Sequence, residues 1–152
     1  MFADHKFRIK APIQEVWEFL LTPEKIGSCI PGCEKIEPIG EDAYKSTIII
    51  KLPIFSITTK STTTITETDP PHHLKSLTDG EYDLGGGKYH QETVVDLEEI
   101  AENEVEVSYS AETKLEGGLA SFGEKIMSEV AKALGEQFAK NMQVKLERKP
   151  VG

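Results

Sequence analysis

The sequence contains few residues whose types and spacing would support chemistry. Its two cysteines, Cys29 and Cys33, flank a Pro-Gly dipeptide in a Cys-x3-Cys spacing. This spacing would allow a redox or metal-binding pair, but two thiols are too few for a disulfide framework or a four-ligand zinc site. The alternative interpretation is that they are two small apolar residues beside a turn.

The histidines do not form a recognised catalytic pattern. His72 and His73 follow a Pro-Pro pair, which predicts a surface turn, and His90 falls on the outer face of a predicted strand. The sequence has no zinc or iron spacing of histidines and no G-x-S-x-G, and the glycines at 85–87 do not form a phosphate loop. We therefore predict no catalytic residue, no metal site and no cofactor.

Length and charge limit the classes of partner. The chain has 152 residues, a net charge of −9 and 17 scattered basic residues, which argues against nucleic acid. No apolar window is long enough to form a transmembrane segment, and the N-terminus lacks the pattern of a secretory signal. We expect one domain over residues 1–149, a short tail at 150–152 and a cytoplasmic location.

The apolar pattern predicts a strand at 5–10, two short helices that begin near Pro12 and Thr22, and a long amphipathic helix from Leu119 to Leu146. Six further strands are predicted at 33–39, 44–52, 56–68, 74–82, 89–97 and 105–115. Strands followed by one long helix indicate an α+β fold. We predict a helix-grip arrangement, in which a curved antiparallel sheet of seven strands wraps around the C-terminal helix.

The sheet face that would meet the helix has a mixed composition. Alternation places both apolar residues and many hydroxyl or amide groups on that face. The polar or amphipathic members are Tyr44, Ser46, Thr59, Ser61, Thr63, Tyr89, Gln91, Thr93, Tyr109 and Thr113. Such groups suit a small-molecule cavity with apolar walls and a few polar anchors. Alternatively, they are strand residues that bond to one another across the sheet.

A predicted hairpin tip is apolar where polar turn residues are usual. It consists of Leu52, Pro53, Ile54 and Phe55. This apolar tip would pack on its own domain, or it would form the lip of a cavity or a docking patch for a partner.

Two stretches carry a resemblance to a known family. Residues 16–34, VWEFLLTPEKIGSCIPGCE, resemble the N-terminal signature of the CoxG family of carbon monoxide dehydrogenase subunits. Residues 109–115, YSAETKL, followed by GGLASFG at 117–123, resemble its second signature. The resemblance implies a START-like, polyketide cyclase-like fold with an apolar cavity between sheet and helix. The family has no established catalytic residues to transfer.

The resemblance also implies an accessory protein of molybdenum-containing carbon monoxide dehydrogenases, associated with membrane attachment of the enzyme and with a lipophilic quinone. The main hypothesis is a non-catalytic protein that holds a hydrophobic small molecule, quinone- or lipid-like. Its ligand-binding residues would be Ile48, Ile50, Ser61, Thr63, Tyr89, Gln91, Tyr109, Phe122, Ile126 and Val130.

Two alternatives stay open at this point. The first is a docking or assembly factor for a molybdenum-containing redox enzyme or for its membrane attachment, acting at the inner face of the cell membrane through the acidic surface and residues 52–55. The second is a cyclase- or hydrolase-like enzyme, since the fold supports such chemistry. A homo-oligomer is compatible with either.

Overall fold

The elements of the computed structural model, which describes residues 1–147, follow the predicted order. Strand β1 (Phe2–Ile9) is followed by two short helices, α1 (Ile13–Leu20) and α2 (Pro23–Gly27). Six strands come next: β2 (Cys33–Pro38), β3 (Ala43–Lys51), β4 (Ser56–Asp69), β5 (His73–Tyr82), β6 (Gly87–Ala101) and β7 (Glu104–Glu116). A 3₁₀ turn (Gly118–Phe122) then leads to helix α3 (Glu124–Leu146). The predicted tail at 150–152 lies outside the described residues.

The strands form one seven-stranded sheet in the order β1-β7-β6-β5-β4-β3-β2, and every neighbouring pair is antiparallel. Threonine and isoleucine dominate β4, and their branched side chains favour an extended backbone. The predicted α+β class and the helix-grip arrangement are confirmed. No helix in the described part of the chain is long and apolar enough to cross a membrane.

The start of the long helix differs from the prediction. Helix α3 begins at Glu124, five residues later than expected, because Gly123 adopts a φ of +88° and separates the helix from the preceding 3₁₀ turn. This break shifts the helical phase, so apolar residues before and after Gly123 do not share one stripe. Met127 is buried, whereas Ile126 is 48% exposed and Phe122 37% exposed.

The inner face of the sheet carries two apolar clusters at its two ends. The first cluster joins α1 and the C-terminal half of α3 to β1, β6 and β7, through residues such as Trp17, Leu97 and Met142. The second cluster contains Ile57, Tyr82, Leu119 and Met127. Between the two clusters lies a polar belt, which we define as Ser46, Ser61, Thr63, Ser76, Thr78, Gln91, Thr93 and Thr113.

The C-terminal half of α3 attaches the helix to the rest of the fold. Ala139, Met142 and Leu146 are buried in the first cluster. The Asn141 side-chain amide donates to the carbonyl oxygen of Cys29 at 2.9 Å, and that of Gln143 donates to the carbonyl oxygen of Arg8 at 2.8 Å. The backbone of α3 approaches the sheet mainly at β1. The middle of the helix therefore stands away from the polar belt.

The turn between β4 and β5 is tied to β6 by a histidine. His73 Nδ1 lies 2.7 Å from Asp96 Oδ1, and His73 Nε2 lies 2.8 Å from Glu67 Oε2. Both ring nitrogens donate when the imidazole is protonated, so the Asp96 carboxylate, followed by that of Glu67, raises the pKa of His73 above its ordinary value.

This raised pKa predicts a pH-dependent contribution to folding. The interaction is fully present below the unfolded-state pKa of about 6.5 and is lost as the pH rises through the higher folded-state value. We expect an NMR titration of the His73 ring to give a pKa above 6.5 in the native protein, and Asp96→Asn to lower it. A native pKa of His73 at or below the ordinary value would contradict the observed pairing.

Candidate functional site

A cavity of about 370 Å³ lies between the inner face of the sheet and α3. Its floor is the polar belt, and Tyr44, Tyr89 and Tyr109 also line it. Its two ends are closed by apolar residues. Phe7 and Val107 belong to the first cluster, and Ile50 packs against the second. The volume is at the lower end of the range of about 300–1,000 Å³ that is common for small-molecule sites.

The roof of the cavity is apolar. Helix α3 contributes Ala131, Leu134, Gly135, Phe138 and Met142, which recur in steps of three and four along one face. None of these five residues offers a side-chain hydrogen bond. A molecule in the cavity would therefore meet hydrocarbon on the helix side and hydroxyl and amide groups on the sheet side.

The hydroxyl groups of the floor pair across neighbouring strands. Ser46 Oγ lies 3.0 Å from Ser61 Oγ, and Thr63 Oγ1 lies 2.8 Å from Thr78 Oγ1. The two interpretations of the mixed inner face are thus compatible, because these side chains bond to one another and also line a cavity. The pairing reduces the cost of burying them, which is about 1–3 kcal/mol for each unpaired group.

Gln91 forms the centre of a third polar group. Its Nε2 donates to Thr93 Oγ1 at 3.1 Å, and its Oε1 accepts from Thr113 Oγ1 at 3.3 Å. The amide is thus held from both sides by hydroxyl groups of β6 and β7. This arrangement fixes the orientation of the amide in the middle of the floor.

Tyrosine hydroxyls add further donors at the cavity wall. Burial raises the pKa of both Tyr44 and Tyr109, which keeps these phenols protonated at neutral pH. The Tyr109 hydroxyl reaches α3 at Gly135, where an added β-carbon would overlap the Tyr109 oxygen. A side chain at position 135 would collide with Tyr109, so glycine is required there despite its low helix propensity.

The described cavity wall contains no aspartate, glutamate, lysine, arginine, histidine or cysteine. No lining side chain would supply a countercharge to an ionised ligand group, and burial of an uncompensated charge is costly. The α-ammonium of Met1, which also lies in the lining, already donates to the carbonyl oxygen of Thr113 at 2.8 Å. The cavity therefore suits an uncharged ligand. Within residues 1–147, no group of three or more metal-ligating side chains is placed to hold a metal ion.

The structure brings most of the predicted ligand-binding residues together. Ile48, Ile50, Ser61, Thr63, Tyr89, Gln91 and Tyr109 line the cavity. The other three predicted residues, Phe122, Ile126 and Val130, lie outside the cavity lining, and this part of the prediction is corrected. Gly123 separates Phe122 from α3, and within α3 each step of four residues rotates by about 40°, so Ile126 and Val130 lie to one side of the face that Leu134 and Phe138 turn to the cavity.

Sequence reasoning also missed part of the wall. Ala131 and Gly135 lie on the cavity face of α3, and Ser76 and Thr78 lie on the inner face of β5. Glycine at 123 was the available indication of a helix boundary, and starting the helical period after it places residues 127, 131 and 134 on one face. Ser76 and Thr78 were not predicted because apolar and polar residues alternate only weakly along β5.

Different residues of the apolar tip at 52–55 fit the two predicted roles, which are packing on its own domain and exposure as a docking patch. The Phe55 ring packs against the Phe122 ring with centroids 5.7 Å apart. Leu52 and Phe55 border the second cluster, whereas Ile54 is 89% exposed. The tip thus packs on its own domain through one side and presents an isoleucine to solvent on the other.

A larger and more open depression, of about 790 Å³, lies over the outer face of the sheet. Lys60, Glu81, Lys88 and Glu116 line it and are register neighbours on β4, β5, β6 and β7. Their charges alternate in sign from strand to strand, so neighbouring side chains compensate one another. This surface has the character of a solvated outer face.

The two cysteines are both free thiols. Cys29 is buried and Cys33 is half-buried, and burial raises the pKa of both. A raised pKa disfavours the reactive thiolate. The structure therefore favours the interpretation of Cys29 and Cys33 as small apolar residues beside the turn.

Comparisons with known proteins agree with this geometry. The family model described as CoxG, a carbon monoxide dehydrogenase subunit, matches residues 6–147. A conserved protein from Geobacillus kaustophilus shares 29% identity and a TM-score of 0.88, with coverage of 96% of this chain and 95% of that chain. None of the curated proteins matches this chain.

More distant solved structures share the fold. A START superfamily protein from Mycobacterium smegmatis has a TM-score of 0.74 at 10% identity, with coverage of 96% of this chain and 97% of that chain. The Zhui aromatase/cyclase from Streptomyces sp. R1128 has a TM-score of 0.68 at 15% identity, with coverage of 97% of this chain and 94% of that chain. The helix-grip fold of this chain is therefore START-like.

The contact between Tyr109 and Gly135 leads to a test of the cavity wall. We expect Gly135→Ala to lower the free energy of unfolding by roughly 1–3 kcal/mol, because the new methyl group would displace Tyr109. Tyr109→Phe in the same chain should restore most of the loss, since the nearest ring carbon would then lie 3.3 Å away. Urea denaturation measures both effects.

The exposed Ala133 supplies the control on the same helix. Ala133→Gly should destabilise by about 1 kcal/mol through helix propensity alone. If Gly135→Ala stabilised the protein, as propensity alone predicts, the close approach of Tyr109 to the helix would be refuted.

Proposed function

Because the chain belongs to the CoxG family of carbon monoxide dehydrogenase subunits, we propose that it is a non-catalytic accessory protein that holds a hydrophobic small molecule in the cavity under α3. The family and the START-like fold support a ligand-binding accessory protein at this level. We further propose that this ligand is quinone- or lipid-like and uncharged.

The observation that carries this proposal is the asymmetry of the cavity. Hydrocarbon from Leu134 and Phe138 lies above, hydroxyl and amide groups lie below, and no charged side chain lies among the described lining residues. A flat ring with oxygen atoms at its edge would satisfy both surfaces. In this pose Tyr89, Gln91 and Tyr109 would orient a carbonyl or hydroxyl oxygen.

The cavity volume supports binding of a ring-sized group. A volume of about 370 Å³ accommodates a ring system with small substituents, so a long isoprenoid or acyl tail would extend outside it. The lining also favours binding over turnover, because its side chains offer hydroxyls and an amide but none that titrates near neutral pH for acid–base catalysis.

A second candidate function is docking to a redox enzyme, and the exposure of Ile54 favours it. The family match suggests an association with carbon monoxide dehydrogenase. Under this proposal the apolar tip contacts a carbon monoxide dehydrogenase-like enzyme, and the protein acts in the cytoplasm at the inner face of the membrane. The two functions are compatible, because the tip and the cavity are separate surfaces.

Occupancy of the cavity has a direct test. Native mass spectrometry of protein purified from a lipid-rich lysate should reveal a bound small molecule. Added quinone at about 100 times its Kd should raise Tm by about 5–10 °C for a domain of this size. Fatty acids should give a smaller shift, because no side chain of the lining offers a countercharge for a carboxylate.

A pair of helix variants separates cavity binding from surface binding. Ala131→Phe places a ring in the cavity and should abolish the quinone-induced shift, whereas Ala133→Phe, on the exposed side of α3, should preserve it. Protein that carries no ligand and shows no shift with quinones or fatty acids would count heavily against the proposed function.

If the tip docks to a redox enzyme, a substitution in the tip should reduce recovery of that enzyme. Ile54→Ser should reduce co-purification of a carbon monoxide dehydrogenase-like enzyme about tenfold or more, as expected when a central apolar anchor is removed. Val144→Ser, at another exposed apolar position that is 64% accessible, is the matched control and should have no effect. Equal recovery of the enzyme by the unaltered protein and by both variants would exclude the tip as the contact.

A further inference from the structure

Gln91 differs from the other polar groups of the cavity floor in what it can offer a ligand. Each hydroxyl pair, such as Ser46 with Ser61, can reverse its direction, since a hydroxyl both donates and accepts. An amide nitrogen only donates. A group that only donates discriminates between ligands, whereas a reversible hydroxyl adapts to either kind.

Two threonine hydroxyls engage the two ends of the Gln91 amide. Thr113 Oγ1 donates to Gln91 Oε1, which uses one of the two lone pairs of that oxygen, and Gln91 Nε2 donates one of its two hydrogens to Thr93 Oγ1. The second N–H of Nε2 has no partner within residues 1–147. Gln91 thus has one N–H free to donate at the cavity floor.

The position of Gln91 makes this donor central. Gln91 pairs with Thr78 on one side and with Thr113 on the other, so it lies in the middle of the floor across β5, β6 and β7. Above it the roof contains only apolar side chains, among them Leu134 and Phe138. A ligand carbonyl that missed Gln91 would find no donor among the roof side chains, and on that side only the Tyr109 hydroxyl, which reaches α3 at Gly135, would be near.

From these contacts we propose that Gln91 determines the specificity of the cavity, and that Thr93 and Thr113 position it as a fixed hydrogen-bond donor. The residue selects a flat apolar ring that carries a carbonyl oxygen over the same ring without one. The inference rests on the proposed ligand-binding function and adds to it the group that recognises the oxygen.

The experiment compares two probes that differ in their carbonyl groups. Menadione is a methylated naphthoquinone, and 2-methylnaphthalene has the same ring system without oxygen. Isothermal titration calorimetry would measure the Kd of each probe for the unaltered protein and for Gln91→Met, which keeps a similar side-chain length and removes the donor.

We expect Gln91→Met to weaken menadione binding by about three- to tenfold, the range for loss of one neutral hydrogen bond, and to leave 2-methylnaphthalene binding within about twofold. Thr113→Val keeps the amide but releases its oxygen, so it should weaken menadione binding by a smaller factor. Thr64→Val, on the exposed outer face of β4 and outside the cavity lining, is the matched control and should change neither Kd.

Several outcomes overturn the inference. If Gln91→Met weakens both probes equally, the residue acts on packing and not on the oxygen. If it weakens neither, the donor does not contact the ligand, although the proposed binding function stands. If the unaltered protein binds neither probe, the binding function fails and the inference fails with it. Gln91→Leu, with folding checked by circular dichroism, decides the question should Gln91→Met not fold.

Discussion

The polar belt across the inner face of the sheet is the constraint on which the remaining structure depends. Its hydroxyl and amide groups cannot be pressed against an apolar helix without losing hydrogen bonds, and each unpaired group would cost about 1–3 kcal/mol. The chain resolves this by packing its apolar side chains at the two ends of the sheet. Helix α3 spans the distance between these clusters, and the cavity is the space that remains under it.

The attachment of α3 explains why this space persists. Met142 and Leu146 are buried in the first cluster, and Asn141 and Gln143 donate to backbone carbonyls outside the helix. At the other end Met127 packs in the second cluster. A helix fixed near both ends acts as a rigid roof, so the wall that faces a ligand is set by the fold itself. Such preorganisation lowers the entropic cost of binding.

Much of the fold was accessible from the sequence because strand alternation and turn residues are local properties. The inner faces of β3, β4, β6 and β7 followed from period two, and they place Ile48, Ser61, Gln91 and Tyr109 as the structure does. The match to the CoxG family was likewise visible in the two signature stretches that flank the sheet, and it agrees with the family model.

The parts of the site that were not predicted depend on tertiary geometry, which local sequence patterns do not indicate. A continuous helical period put Phe122 and Ile126 in the cavity wall, but a backbone angle of +88° at Gly123 separates Phe122 from α3, and the rotation of about 40° per four residues carries Ile126 off the cavity face. The volume under the helix depends on where α3 meets β1, which is a tertiary contact. Pairing within the belt, as between Ser46 and Ser61, also required the register of β3 against β4.

The cavity wall and the outer surface of this protein should respond differently to ionic strength, because the described cavity wall contains no charged side chain. Binding to a wall without charged side chains involves no side-chain ion pairs, so dissolved salt should leave it nearly unchanged. Contacts made by an exterior that carries a net charge of −9 are screened within about 8 Å at physiological ionic strength. A change in ionic strength should therefore alter contacts made by the acidic exterior more than any binding inside the cavity.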